Sequence, residues 1–520
     1  MNKWVLLILK NLPMIILGVL LAFLMYWRWK VGLTRFFDVD EFSYLHWTAD
    51  FARGSRPYTD FFMFFTPGFL WFFAPLVFLF PHGPMIFLAA RVVSLGIFAV
   101  MLVLLGVLFA SIRGRRWALL PVVLLAFLPM PYDKFLETRP DNLATLLAFG
   151  GLVFQVSALL GAKKSQALWF WSGMCYMASL VVFVKTLPFV LVGCAIAILD
   201  SVWGKGVPFG VWWKNLLRRK PDPDIRAFFV GLLIPLGVFL MWVSSLGDIG
   251  KVWYSLTKLP FEANMIGKLG LMEPHLFFFP NGSFYGGSAT VTNGLILNHT
   301  LWFIGIIAGV VRFFTPFIAA AGDRRKALAE LLIGGVFVLS VVLYVQFFPL
   351  KHSQYLIPIA LFIAYYSSDA FVLGLQWINK TMGIIALGLV LIAGAYIIGK
   401  TTIEVNQVKL FWSNTVQLQQ VALLVDSIPP QAEVLDLEGR MLFWRDPYYI
   451  CCVPFGSFTR FLSRQPPVLR DVLEMKKVPY IYQGDSNRFS VLSYEDQLYI
   501  RKAYVPVTGW GETLWERIGI

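Results

Sequence analysis

Charge is scarce in this chain. Of its 520 residues only 14% are Asp, Glu, Lys or Arg, while 58% are hydrophobic and the mean hydropathy is +0.69. So few charges cannot clothe the surface of a water-soluble domain, which excludes that class. Cysteine is scarcer still, at four. Cys175 and Cys194 fall inside hydrophobic segments and read as core residues. Cys451 and Cys452 are adjacent, a strained arrangement for a disulfide, so no disulfide framework is expected. The five histidines include no two at metal-ligand spacing, which argues against a zinc site. No Walker sequence or nucleotide-binding glycine fingerprint occurs.

What the chain does have is long apolar runs. Segments of about 20 residues, enough for roughly 30 Å of hydrocarbon, fall at about 12–28, 86–111, 118–133, 142–161, 166–183, 186–202, 228–247, 297–318, 329–349, 355–375 and 382–400. The expected fold is a polytopic α-helical membrane protein with about 11 transmembrane helices. The net charge is +14, yet the last 120 residues hold 12 Lys and Arg against 13 Asp and Glu, so the basic excess lies in the first 400. It falls in short loops at Lys3 and Lys10, Arg113 to Arg116, Lys163-Lys164, Lys205 to Arg226, Arg324 to Lys326, and Lys380. Such loops set orientation and are no signal for nucleic acid. A cytoplasmic N-terminus and eleven spans place every one of these clusters in the cytoplasm, in a cytoplasmic (inner) membrane. The N-terminus shows no small-residue cleavage site, so the first span is expected to be retained.

That orientation leaves no room for a crossing at Phe61–Phe80, which carries Pro67-Gly68 and Pro75. Residues 30–82 are expected as a first external loop whose helices lie on or dip into the interface, and 248–296 as a second. Residues 1–400 then form the membrane domain and 401–520 an external α/β domain, with a helix at 417–425 and strands at 432–436 and 478–482.

The external face collects the polar residues. Asp38, Asp40 and Glu41 lie just after the first span, and ionisable groups at a bilayer edge mark working sites because they are costly to desolvate. Asp141 follows Pro140, and reads either as a helix-start residue or as part of a polar site shared with that cluster. Lys185 interrupts an apolar run, as a snorkelling lysine or as a cation for an anionic lipid headgroup. Lys351-His352, with Tyr355 and Pro358, is either a topological hinge or a phosphate clamp.

Asp40-Glu41 with Tyr44, Arg56-Pro57-Tyr58-Thr59-Asp60, Thr66-Pro67-Gly68, Ala90-Arg91, Arg139-Pro140-Asp141 and His352-Ser353-Gln354-Tyr355 occur in an order that resembles the GT-C membrane glycosyltransferases. The similarity covers about residues 1–400 and is greatest to the group holding the dolichyl-phosphate-mannose protein mannosyltransferases and the lipid A aminoarabinose transferase. The resemblance implies an inverting transfer of a sugar from a polyprenyl-phosphate donor to a glycan, lipid or protein acceptor. Asp40 would be the catalytic base and Asp141 the residue that orients the acceptor. Glu41, Tyr44, Arg139, Lys185, Lys351, His352 and Tyr355 would line the substrates. The aminoarabinose transferase has basic residues where this chain has Ser43 and Thr66, so the phosphate grip is expected to differ.

The chemistry suits these residue types on its own terms. Displacing a lipid phosphate from a sugar C1 needs a base for the acceptor and cations for the departing phosphate. A monophosphate leaving group makes no metal or other cofactor obligatory. Asp38 competes with Asp40 for the role of base, since two residues of offset in a loop are not separable in sequence. A transporter or flippase of a lipid-linked or polar solute is the rival reading. It would place charges at mid-membrane in broken spans, whereas here they gather at one interface and no internal repeat is seen.

Overall fold

The computed structural model describes residues 3–161, 165–204, 222–263, 292–318, 324–348, 352–452, 459–484 and 487–519. Its apolar runs fold into α1 (Lys3–Thr34), α4 (Met85–Arg113), α5 (Leu119–Phe127), α6 (Pro140–Leu159), α7 (Ser165–Val182), α8 (Leu187–Leu199), α9 (Pro223–Ser245), α10 (Thr292–Ile318), α11 (Arg324–Phe347), α12 (Ile357–Thr381) and α13 (Gly383–Gln407). Two helices, α2 (Val39–Ala52) and α3 (Gly68–Leu79), lie between α1 and α4. Among the described residues, nine helical segments are long and apolar enough to cross a membrane.

The other two expected spans are α5 and α7. Lys185, just past α7, meets Asp141 at the start of α6, so α7 runs antiparallel to α6 and brings the chain back to the same end. α5 returns the chain as well, but its helix stops at Phe127, before Pro129 and Pro131, instead of reaching residue 133. Arg113 and Arg325 mark the opposite end. There Arg113 pairs with Asp369 at 2.7 Å and with Glu330, and Arg325 lies 3.5 Å from Asp200. Arg113 and Arg325 thus lie at the end of the bundle away from the acidic site, while Lys163-Lys164 and Lys205 to Lys220 lie outside the described residues.

Burial orders the helices. From Ile359 to Asp369, α12 is buried on every side and forms the centre of the bundle. α13 is exposed at Leu389, Ile392 and Tyr396, an outer apolar face suited to lipid. α7 and α9 pack backbone to backbone. A Cβ on Gly173 would run into the carbonyl oxygen of Phe228, and one on Gly231 into that of Phe170.

Sequence boundaries shift in two places. α1 continues to Thr34, so the first loop begins there and not at 30, and it folds into α2 and α3. α13 runs on to Gln407, past the expected domain boundary at 400. The tail holds α14 (Thr415–Ser427), α15 (Leu469–Lys476), α16 (Tyr494–Ala503) and a four-stranded sheet. Its strands β1 (Val434–Asp436), β2 (Tyr480–Tyr482), β3 (Tyr504–Pro506) and β4 (Leu514–Arg517) are ordered β1-β2-β4-β3. β1 and β2 pair in parallel, and the other neighbours are antiparallel. Cys451 and Cys452 are joined in a disulfide, contrary to the expectation from their adjacency.

The tail is seated on the first loop. Phe62 N–H donates to Tyr449 O at 2.7 Å, Tyr449 OH to Tyr58 O at 2.9 Å, and Arg53 Nη2 to Trp444 O at 3.0 Å. Gly439, at φ 98°, approaches the backbone of Phe42 and Ser43 so closely that a side chain there would collide.

Candidate active site

α2 starts where it does because Asp38 caps it. Its Oδ1 accepts from Asp40 N–H at 2.9 Å, and Glu41 Oε2 accepts from Asp38 N–H at 3.0 Å, a reciprocal capping box. Glu41 is fully buried and fully engaged. Arg91 donates to both its oxygens at 2.9 and 2.6 Å, and Thr138 N–H donates at 2.9 Å. The same Arg91 holds the carbonyls of Gly32 at 3.0 Å and Phe36 at 2.7 Å. Glu41 therefore presents no free face to a substrate. Its expected place among the substrate-lining residues is corrected to that of a positioning residue, which fixes the end of α1, the start of α2 and the turn before α6.

Asp40 lies one residue inside the positive end of α2. Its Oδ2 meets Arg139 Nη2 at 2.8 Å, and its side chain stays 32% exposed. Burial raises its carboxyl above the ordinary value, with Arg139 pulling the other way. Asp38 is engaged at both oxygens, by Lys134 at 3.1 Å and by Arg139 at 3.3 Å. Burial pushes its carboxyl up, but Lys134 and Arg139 prevail and hold it below the usual range. The two acids are thus driven apart, the pattern that separates a proton acceptor from a permanent anion.

Arg139 is the hub. It is the residue before α6, in extended backbone, with Pro140 pre-set at the first helical position. Beyond Asp38 and Asp40 it pairs with Glu137, which also takes Arg35 and Lys134 at 2.9 Å each. Burial alone would raise Glu137, yet Lys134, Arg139 and Arg35 together hold it well below the ordinary carboxylate value. The guanidinium is buried, and its Nη1 has no hydrogen-bond partner.

Asp141, in the first turn of α6, sits 3.3 Å from Lys185 Nζ. The ammonium lies 3.4 Å from the centre of the Tyr355 ring and 4.4 Å from that of Phe183, a cation–π seat. Lys185 is therefore fixed by a carboxylate and two rings, and does not snorkel freely. A narrow pocket of about 20 Å³ opens beside it, lined by Asp141, Thr145, Lys185, Thr186, Ser340 and Tyr355. Tyr44 lies one helical turn beyond Asp40 and packs edge-on to Trp47 and Phe65. His352 packs edge-on to Tyr355, and burial, with Lys185 and Arg139 nearby, lowers its imidazole to about 4. It is neutral near pH 7, so toward a phosphate it offers a hydrogen bond and no standing positive charge. Lys351 lies outside the described residues.

The sequence thus brings Asp40, Tyr44, Arg139, Asp141, Lys185, His352 and Tyr355 to one end of the bundle. Sequence reasoning missed Lys134 and the structural role of Arg91. Lys134 lies three residues before Glu137 but reaches Asp38 from 96 residues away, and nothing local announces that contact.

No protein-family model matches the sequence, and no curated protein matches it either. Solved structures do. ArnT from Cupriavidus metallidurans bound to undecaprenyl phosphate aligns with 97% of this chain and 98% of its own, at 11% identity and a TM-score of 0.56. The Archaeoglobus fulgidus oligosaccharyltransferase tethered to an acceptor peptide aligns with 98% of this chain and 74% of its own, at 11% identity and a TM-score of 0.53. The oligosaccharyltransferase AglB from the same organism, in complex with an inhibitory peptide and a dolichol-phosphate, aligns at 11% identity and 0.51. The chain therefore has the fold of these ArnT and AglB structures.

Proposed function

We propose that this protein is an inverting glycosyltransferase that moves a sugar from a polyprenyl-phosphate donor to an acceptor at the external face of the membrane. The observation that carries the reading is the pairing, at one end of a GT-C fold, of a half-exposed Asp40 beside Arg139 with a cation seat at Lys185. Asp40 accepts the acceptor's proton as its oxygen attacks C1 of the sugar from the face opposite the phosphate. The C1–O bond to phosphate breaks, and the electron pair leaves with the lipid phosphate. Lys185 holds that phosphate, while Asp141 orients the acceptor and keeps Lys185 in place. Arg139 steers Asp40 and adds positive potential where charge develops. Single displacement of this kind needs one base on one face, as in inverting glycosidases.

The test is release of free polyprenyl phosphate by the purified protein in detergent, with no gradient across a membrane. A panel of polyprenyl-phosphate sugars would be offered with glycan, lipid and peptide acceptors. Turnover is expected from at least one pair, and Lys185→Met is expected to lower it by about 10²-fold or more, as loss of a charge-stabilising donor does. Transport of the same lipids across vesicles without cleavage would contradict the proposal.

A further inference from the structure

A second polar centre lies on α2 itself, beginning two residues beyond Tyr44. His46 and Asp50 sit at i and i+4 on the face that meets the tail, and Asp446 reaches them from the tail. All three are buried or nearly so, with side-chain exposures of 0%, 6% and 9%. His46 Nε2 lies 2.7 Å from Asp446 Oδ2 and 3.7 Å from Asp50 Oδ2. On its other side, His46 Nδ1 lies 3.4 Å from Asp436 Oδ2.

We propose that His46, Asp50 and Asp446 hold a divalent cation of the zinc or manganese class, which fastens the C-terminal tail to α2.

Three observations carry this. Asp50 Oδ2 is buried and, among the described residues, has no hydrogen-bond partner, although Asp50 Oδ1 is taken by Arg53 at 2.7 Å. The Oδ2 atom therefore faces the histidine unsatisfied. Next, Nε2 lies 2.7 Å from Asp446 Oδ2, a hydrogen-bond distance, and 3.7 Å from Asp50 Oδ2, so two carboxylates converge on one ring nitrogen where an ion would take the place of the shared proton. Finally, Asp436 stands behind Nδ1 as an outer carboxylate, the arrangement that fixes the tautomer of a metal-bound histidine. Its own oxygens are steadied by the N–H groups of Glu438, Gly439 and Met441 at 2.7–2.8 Å.

Charge points the same way. With the neutral imidazole that a metal ligand requires, Arg53 alone faces the three carboxylates Asp50, Asp436 and Asp446, a negative excess in a largely buried site. A divalent ion removes it. Cys451 and Cys452 have sulfurs within 4.8 Å of the other ligand atoms, but they are tied to each other in a disulfide, so the site is a nitrogen and oxygen one. Asp446 also lines a cavity of about 510 Å³ between the first loop and the tail, which gives an ion and its water a way in.

The full chain, purified in detergent, would be loaded with Zn²⁺ or Mn²⁺, freed of excess ion and assayed by elemental mass spectrometry. One ion per chain is expected for the wild type. Asp50→Asn and His46→Gln are expected to weaken binding by at least about tenfold, the scale on which even outer-sphere changes act. A chelator should lower the melting temperature of the wild type and leave that of Asp50→Asn unchanged, which separates loss of the ion from misfolding. No stoichiometric ion, or an ion kept equally by Asp50→Asn, would overturn the proposal and leave His46 as an ion-pair hub.

Discussion

At the scale of single residues, the acidic cluster after α1 divides into different tasks. Asp38 caps a helix, Glu41 staples it, and Asp40, the most exposed of the three, lies beside a guanidinium. Removing the charge of Glu41 leaves Arg91 buried and without its carboxylate, a change that destabilises by about 3–5 kcal/mol when an ion pair is fully enclosed. Glu41→Gln should therefore lower the melting temperature in detergent, whereas an unchanged melting temperature would return Glu41 to the substrate-lining set. His352 makes a pH prediction. Its imidazole titrates near 4 when folded against an ordinary 6.5, so the unfolded chain binds the proton more readily. That stability is present above about pH 6.5 and is lost as the pH falls toward 4. Melting temperatures between pH 7 and pH 4.5 should fall more steeply for the wild type than for His352→Gln.

At the scale of elements, the sequence spelled out most of what apolar length and loop charge control. Most helices of the bundle, the lack of a helix long enough to span at 61–80 among the described residues, and the grouping of Asp40, Asp141 and Lys185 were legible. What was not legible depends on contacts between distant segments. Arg91 meets Glu41 across 50 residues, and β3 and β4 are strands of three and four residues whose identity comes from pairing alone. α5 was overread because its apolar run continues past the prolines that end the helix. The α7–α9 contact is the element most open to a test. Gly173→Leu must push a side chain into the backbone of α9, and overpacking of this kind costs about 1–3 kcal/mol or more. The variant should melt earlier than the wild type, while Gly237→Leu, in open space on α9, should not.

At the scale of the whole molecule, a helical bundle with Arg113 and Arg325 at one end carries its polar site at the other, and the tail closes over α2 there. Five carboxylates at 38, 40, 133, 137 and 141 meet five cations at 35, 134, 139, 185 and 409. That balance makes the site neither a general acid trap nor a simple anion funnel, and in the proposed reaction Asp40 takes the acceptor's proton. The measurement that tests this most directly is sugar transfer by Asp40→Asn beside Asp38→Asn, each shown to fold by its melting temperature. Asparagine caps a helix about as well as aspartate, so Asp38→Asn should keep activity within about tenfold. Asp40→Asn should lose about 10²–10⁴-fold, the contribution of a positioned general base. Turnover near the wild-type rate by a folded Asp40→Asn would contradict the assignment of the base.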